Sequence, residues 1–199
     1  MADTGAPHFI PFADPTDLVR DWPALSEDVA EAVADGLSAA GGLVAVKSAI
    51  FTGTQTASVT AGNNVAVTDL TITHEVADPA NKLIISAFLG AAGSTRGRAA
   101  VGLAVHDGTD LIAIGLADGS RSRVTAGGQT SIMDDRNNVT MPSVTFVHTP
   151  GAGSKTYTVR AINVNVSTQT VYINRSELDN NTESFPRAAS SLVIQEVKV

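Results

Sequence analysis

Ala39-Ala40-Gly41-Gly42-Leu43-Val44-Ala45-Val46-Lys47-Ser48-Ala49-Ile50-Phe51 is the stretch where the periodicity of this chain changes. Before the glycine pair, apolar residues recur at helical spacing. After it they alternate with polar ones, and 43–51 reads as the first of a series of strands. Period two then continues through candidate strands at 54–60, 66–75, 82–89, 99–106, 110–114, 129–133, 143–148, 155–166, 170–174 and 190–199. The alternation is cleanest in Leu83, Ile85, Ala87, Leu89 and in Ala99, Val101, Leu103, Val105. Turn sequences separate the runs: Ala61-Gly62-Asn63-Asn64, Ala77-Asp78-Pro79, His106-Asp107-Gly108, Asp118-Gly119, Gly127-Gly128 and Pro150-Gly151. Many short strands joined by tight turns predict a mainly β chain, with a β-sandwich head of the jelly-roll kind over 42–199.

Upstream, Ser26 is a favourable N-cap and Glu27 and Asp28 suit the positive end of a helix. Leu25, Val29, Val33 and Leu37 follow at four-residue intervals, with Ala32, Gly36 and Ala40 beside them. Glu27, Glu31 and Asp35 form the opposite stripe, and such like-charge pairs cost a few tenths of a kcal/mol each. Gly36 costs about 1 kcal/mol more. A helix of about 15 residues is marginal alone, so packing must hold it. It either lies on its own β domain or joins copies of itself around a symmetry axis, with Ala32 and Gly36 permitting close approach. The second reading makes 26–41 an oligomerisation helix working through Leu25, Val29, Val33 and Leu37.

Residues 1–25 form an extended arm. Pro7, Pro11, Pro15 and Pro23 deny it regular structure. Phe9, Ile10, Phe12, Leu18 and Trp22 give it more apolar surface than a free tail carries, so it is expected to pack on a partner or on its own head.

Composition narrows the classes of function. The 199 residues are 43% hydrophobic and 17% charged, enough for a real core. The net charge of −7 and isoelectric point of about 4.9 argue against nucleic acid, whose binding needs a basic footprint. There is no cysteine, hence no disulfide, thiolate metal site or thiol catalysis. No run approaches the roughly 18 apolar residues of a membrane span, and the N-terminal residues do not read as a signal peptide.

Sequence motifs for chemistry are sparse. His74 continues the face of Leu70 and Ile72, His148 that of Val144 and Phe146, and His106 takes the parity opposite Val101 and Val105. Their spacing is not that of metal ligands, so packed histidines are expected, with a ring at a symmetry axis as the alternative. Asp134-Asp135 and Asp179-Asn180-Asn181 lack the glycine and terminal glutamate of a calcium loop and read as polar turns. Asn138, Asn165, Asn174 and Asn180 match the glycosylation acceptor pattern, as chance provides in an Asn-, Ser- and Thr-rich chain. No nucleophile elbow, phosphate loop or zinc-protease motif occurs. No catalytic residue, cofactor or metal is expected, and the chain does not read as an enzyme.

Two segments carry a family resemblance. Phe12-Ala13-Asp14-Pro15-Thr16-Asp17-Leu18-Val19-Arg20-Asp21-Trp22-Pro23-Ala24-Leu25, with Asp28 to Leu37, resembles the opening of minor structural proteins of tailed bacteriophages, those of actinobacterial phages among them. Val144-Thr145-Phe146, Thr156-Tyr157-Thr158-Val159-Arg160, Val171-Tyr172-Ile173-Asn174-Arg175-Ser176 and Ala189 to Val197 are similar to the C-terminal jelly-roll domain of phage fibre and appendage proteins. The resemblance implies a homotrimer in the virion. Its N-terminus would be anchored to tail or capsid proteins through Phe9, Ile10, Phe12, Leu18 and Trp22, and its β head would contact host-surface glycan. It leaves open a minor tail or fibre component, a capsid decoration or head fibre, and a glycan-degrading appendage. That last class needs paired carboxylates in a cleft, and no pair stands out in the sequence.

Overall fold

A computed structural model describes residues 42–95, 100–129, 136–180 and 187–199. The arm expected over 1–25, the helix expected over 26–41 and every anchoring and oligomerisation residue expected in them lie outside the described residues, as do Asp134 and Asp135. Leu43–Val199 forms one compact unit. It is mainly β, and no helix occurs among its described residues.

Among the described residues twelve strands run in order: β1 (Leu43–Phe51), β2 (Gln55–Val59), β3 (Asn64–Val76), β4 (Lys82–Phe88), β5 (Ala92–Ser94), β6 (Ala100–His106), β7 (Leu111–Ile112), β8 (Ala126–Gln129), β9 (Ser143–His148), β10 (Gly153–Asn163), β11 (Gln169–Ile173) and β12 (Ser190–Val197). They make three antiparallel sheets. One is ordered β1-β12-β4-β9. The second is β3-β10-β6-β7, with β8 also on β6. The third is the small sheet β2-β11-β5.

Alternation decides which side chains go inward. In β4 and β12, Leu83, Ile85, Ala87, Leu192 and Ile194 are buried, while their sequence neighbours face out. Val101, Leu103 and Val105 of β6 and Tyr157, Val159 and Ala161 of β10 join them in a single apolar cluster. Each large aliphatic side chain so buried contributes roughly 1.5–3 kcal/mol. With few aromatics available, branched and small side chains make up most of this core.

β3 keeps its inward face across an irregular register. Thr71 pairs with Thr158 but Ala66 pairs with Arg160, so the four residues Val67 to Leu70 oppose Val159 alone. Asp69 absorbs the excess with φ of 59°, a left-handed conformation that aspartate tolerates better than most residues. Val67 and Leu70 both reach the core despite their odd spacing.

The expected strands at 43–51 and 143–148 match β1 and β9. The expected strand at 110–114 shortens to β7, because Ala113 turns the chain with φ of 51°. The one expected at 129–133 lies earlier, at β8, and 130–133 fall outside the described residues. β5 was not foreseen. Ala92, Gly93 and Ser94 are all buried and so show no alternation to read.

Registers fix which connections share an end. Phe51 meets Ser190, Ser191 meets Phe88 and Phe88 meets Ser143, so the links β1–β3, β4–β6, β8–β9 and β10–β12 leave from the same end of the four-stranded sheet. Three of them carry β2, β5 and β11 and build the small sheet. The fourth joins through a bridge between Thr140 and Ala92.

Candidate functional site

At the opposite end, inward positions turn polar. Glu196 of β12 pairs with Leu83, and Leu83 with His148. The Glu196 carboxylate accepts from His74 Nε2 (2.7 Å), Asn81 Nδ2 (2.7 Å) and the Ala77 amide (3.3 Å). His74 is 3% exposed and Glu196 1%, so this pair does not reach solvent. Burial alone would raise the Glu196 pKa. The hydrogen bonds from Asn81, His74 and Ala77 outweigh it and hold the carboxyl below its ordinary range. Beside it, His148 meets the Tyr157 ring edge-on at 5.9 Å. Burial, helped by Lys155, lowers the His148 pKa against the pull of Asp107. Burial and then the Asp107 charge push the Tyr157 phenol up to about 12. Asp107 closes its own turn by accepting from the Thr109 and Asp110 amides, each at 2.9 Å. This end is a structural polar plug rather than an open site.

The loop-built end is accessible. A groove there is lined by Ala61 and Gly62 of the β2–β3 turn, Ser120, Arg121 and Ser122 between β7 and β8, and Val164, Asn165 and Val166 after β10. Gly62 turns with φ of 70°, and its amide donates to the Asn163 carbonyl at 2.9 Å. Asn163 fixes the facing loop. It donates to the Val59 and Ser167 carbonyls and accepts from the Asn165 amide. The segment that carries Ser120 to Ser122 is pinned where Val124 lies over Gly102 of β6. The groove therefore offers hydroxyls, a guanidinium and an apolar rim from Val166 on loops tied to a rigid sheet. That combination suits a hydroxyl-rich ligand.

The outer faces of the two larger sheets differ. On the five-stranded sheet, Thr71 bonds Thr158 (3.1 Å) and Thr73 bonds Thr156 (2.9 Å), with Glu75 and Arg160 nearby on the same face. That is a solvated surface. On the four-stranded sheet three consecutive rows across the strands are Val46-Gln195-Ile84-Val147, Ser48-Val193-Ser86-Thr145 and Ile50-Ser191-Phe88-Ser143. None of these twelve residues is charged. Val46, Ile50 and Val147 are 52%, 63% and 62% exposed.

Three histidines were singled out from the sequence. His74 and His148 face inward at the polar end, while His106 faces out opposite Thr158 and accepts from the Gly108 amide at 3.0 Å. No group of three metal-ligating side chains occurs among the described residues. Asp179 is ion-paired with Arg175 (3.2 Å) and Arg187 (2.9 Å), in keeping with a polar turn. Asn174 is fully buried, its amide donating to the Phe51 and Gly53 carbonyls. Its acceptor pattern is thus committed to the fold. The parity of Leu192, Ile194 and Glu196 marked Glu196 as inward, yet it was overlooked. No sequence signal links the three segments that form the groove. No protein-family model and no curated protein matches this chain.

Proposed function

We propose that this chain is a non-enzymatic structural protein of a bacteriophage particle. It acts as a trimeric tail or fibre component whose N-terminal arm docks on the virion and whose β head contacts the host surface. The observation that carries this reading is the strand order. β1-β12-β4-β9 with β3-β10-β6, and β7 and β8 on the edge of β6, supports reading the head as a jelly roll. That architecture recurs in viral capsid and lectin domains. A fold hosts many functions, so the surfaces supply the rest. The connections at one end are woven into a third sheet, which presents their side chains rigidly, as display of a binding surface requires. The groove of Ser120, Arg121, Ser122 and Asn165 is the surface we assign to host glycan. The buried His74–Glu196 pair is closed to substrate, which favours binding over hydrolysis.

Imaging purified phage particles with a label on the β head tests the proposal. Label at the tail is the expected result. Label spread over the capsid would make the protein a decoration or head fibre, and particles without label would overturn the virion assignment. Incubation with host-envelope glycans should release no new chain ends; release would overturn the non-enzymatic reading.

A further inference from the structure

We infer that the groove at the loop-built end takes an anionic saccharide and that Arg121 seats its acid group. The inference rests on the glycan reading above and names the chemistry of the ligand. Among the described residues that line the groove, Arg121 alone is charged. Its Nη1 donates to the carboxylate of Asp118, in the same loop. That pairing leaves Nε and Nη2, an edge on which a guanidinium holds a carboxylate or a phosphate through two parallel bonds. The Arg121 side chain is 80% exposed, so a ligand can reach that edge.

The other lining side chains agree. Asn165 is the most buried of them, 9% exposed. Its Oδ1 accepts from the Val166 amide at 2.7 Å, which fixes the orientation of the amide group. Nδ2 is then buried without a partner among the described residues, and a buried donor in that state calls for an acceptor. The guanidinium and Nδ2 can only donate, while Ser120 and Ser122 can donate or accept. An ionised acid group only accepts, so it matches this donor-weighted lining better than hydroxyls alone do. Val164 and the exposed Val166 give apolar surface for the C–H face of a sugar. The groove has a volume of about 590 Å³, within the roughly 300–1,000 Å³ of small-molecule sites, which leaves room for sugar beside the acid. The acidic excess of the chain does not oppose such a ligand. Residues 42–199 hold twelve Lys and Arg against twelve Asp and Glu, so the net −7 lies in residues 1–41.

Calorimetric titration of the full chain with host-envelope polysaccharide tests this. Three preparations are compared: untreated, with its carboxyl groups reduced to alcohols, and with its phosphates removed. The untreated polymer should bind, and one of the two treatments should abolish binding; which one does so tells carboxylate from phosphate. Arg121→Ala should weaken binding of the untreated polymer about tenfold, the loss of a charge-assisted hydrogen bond at an exposed site. Its melting should not change. Binding by the unaltered chain should also weaken as salt is raised, and that dependence should shrink in Arg121→Ala. Binding that survives both treatments yet falls in Arg121→Ala would overturn the acid requirement and leave the groove as a site for neutral glycan. Acid-dependent binding that Arg121→Ala does not weaken would place the acid elsewhere and overturn the inference. No binding of the untreated polymer would defeat the glycan reading and this inference together.

Discussion

Glu196 shows how one residue ties the two larger sheets together. It sits on β12, its partner His74 on β3, and 122 residues separate them. Each was legible from parity, Glu196 two beyond Ile194 and His74 two beyond Ile72. Their meeting was not, because period two gives a side chain's face but never its neighbour in the opposite sheet. The pH dependence follows in sign. The Glu196 pKa is depressed in the folded state, so its stabilisation is present above the unfolded value of about 4.3 and is lost as pH falls through the folded value. His148 is also depressed, so its share begins to drain below about 6.5. Denaturant midpoints should therefore decline in two stages on acidification. Glu196→Gln should lower stability at pH 7 by about 1–3 kcal/mol and flatten the lower stage; an unchanged acid profile would show that another group titrates there. Tyr157 works at the alkaline side. Its pKa is raised to about 12, so its contribution is intact below the unfolded value of about 10 and is lost as pH rises toward 12. Its hydroxyl is buried without a hydrogen-bond partner among the described residues. Tyr157→Phe should therefore leave neutral stability unchanged or raised, and should remove part of the alkaline loss.

Strands are the level at which the sequence was most readable, and the failures have physical causes. β4, β9 and β12 each have one wet and one dry face, so hydrophobicity alternates and the boundaries fall within two residues of expectation. β5 is dry on both faces and leaves no alternation to find. The extra residues in β3 break the count at Asp69, where a left-handed turn rather than periodicity sets the register. Close approaches between elements are equally invisible to periodicity. A Cβ on Gly90 would lie 2.2 Å from the Ala189 carbonyl oxygen, and one on Gly102 2.3 Å from Val124 Cγ1. Around Gly115 nothing stands within 4 Å. Gly90→Ala must displace backbone leading into β12, and is expected to destabilise by about 1–3 kcal/mol, as overpacking does. Gly102→Ala presses on a side chain that can shift and should cost less. Gly115→Ala should be neutral. Thermal melts of the three variants check the order, and equal effects at Gly90 and Gly115 would contradict the packing described.

For the molecule as a whole, the sequence carried the β class but not the groove. Gly62, Arg121 and Asn165 come from three distant connections and are brought together only by the order of the strands. Arg121→Ala should weaken adsorption of the purified protein to host cells several-fold without altering its melting; undiminished adsorption would remove the groove from the binding surface. The β head should also be autonomous, because Leu43–Val199 forms a compact unit of its own. A chain that starts at Gly42 should keep a β-type spectrum and unfold cooperatively. The arm is the remaining question of orientation. Phe9, Ile10, Phe12, Leu18 and Trp22 share a segment with four prolines, so a regular element cannot bury them all. Each large side chain that gains a pocket in a partner is worth roughly 1.5–3 kcal/mol. Such anchors dominate many interfaces. Asp14, Asp17 and Asp21 beside them would favour a basic rim, which makes docking weaken as salt is raised. Deleting residues 1–23 and adding the protein to particles that lack it should abolish attachment while light scattering still reports the intact oligomer. Attachment that survives the deletion would mean that the β head carries the docking surface and that the arm points away from the particle.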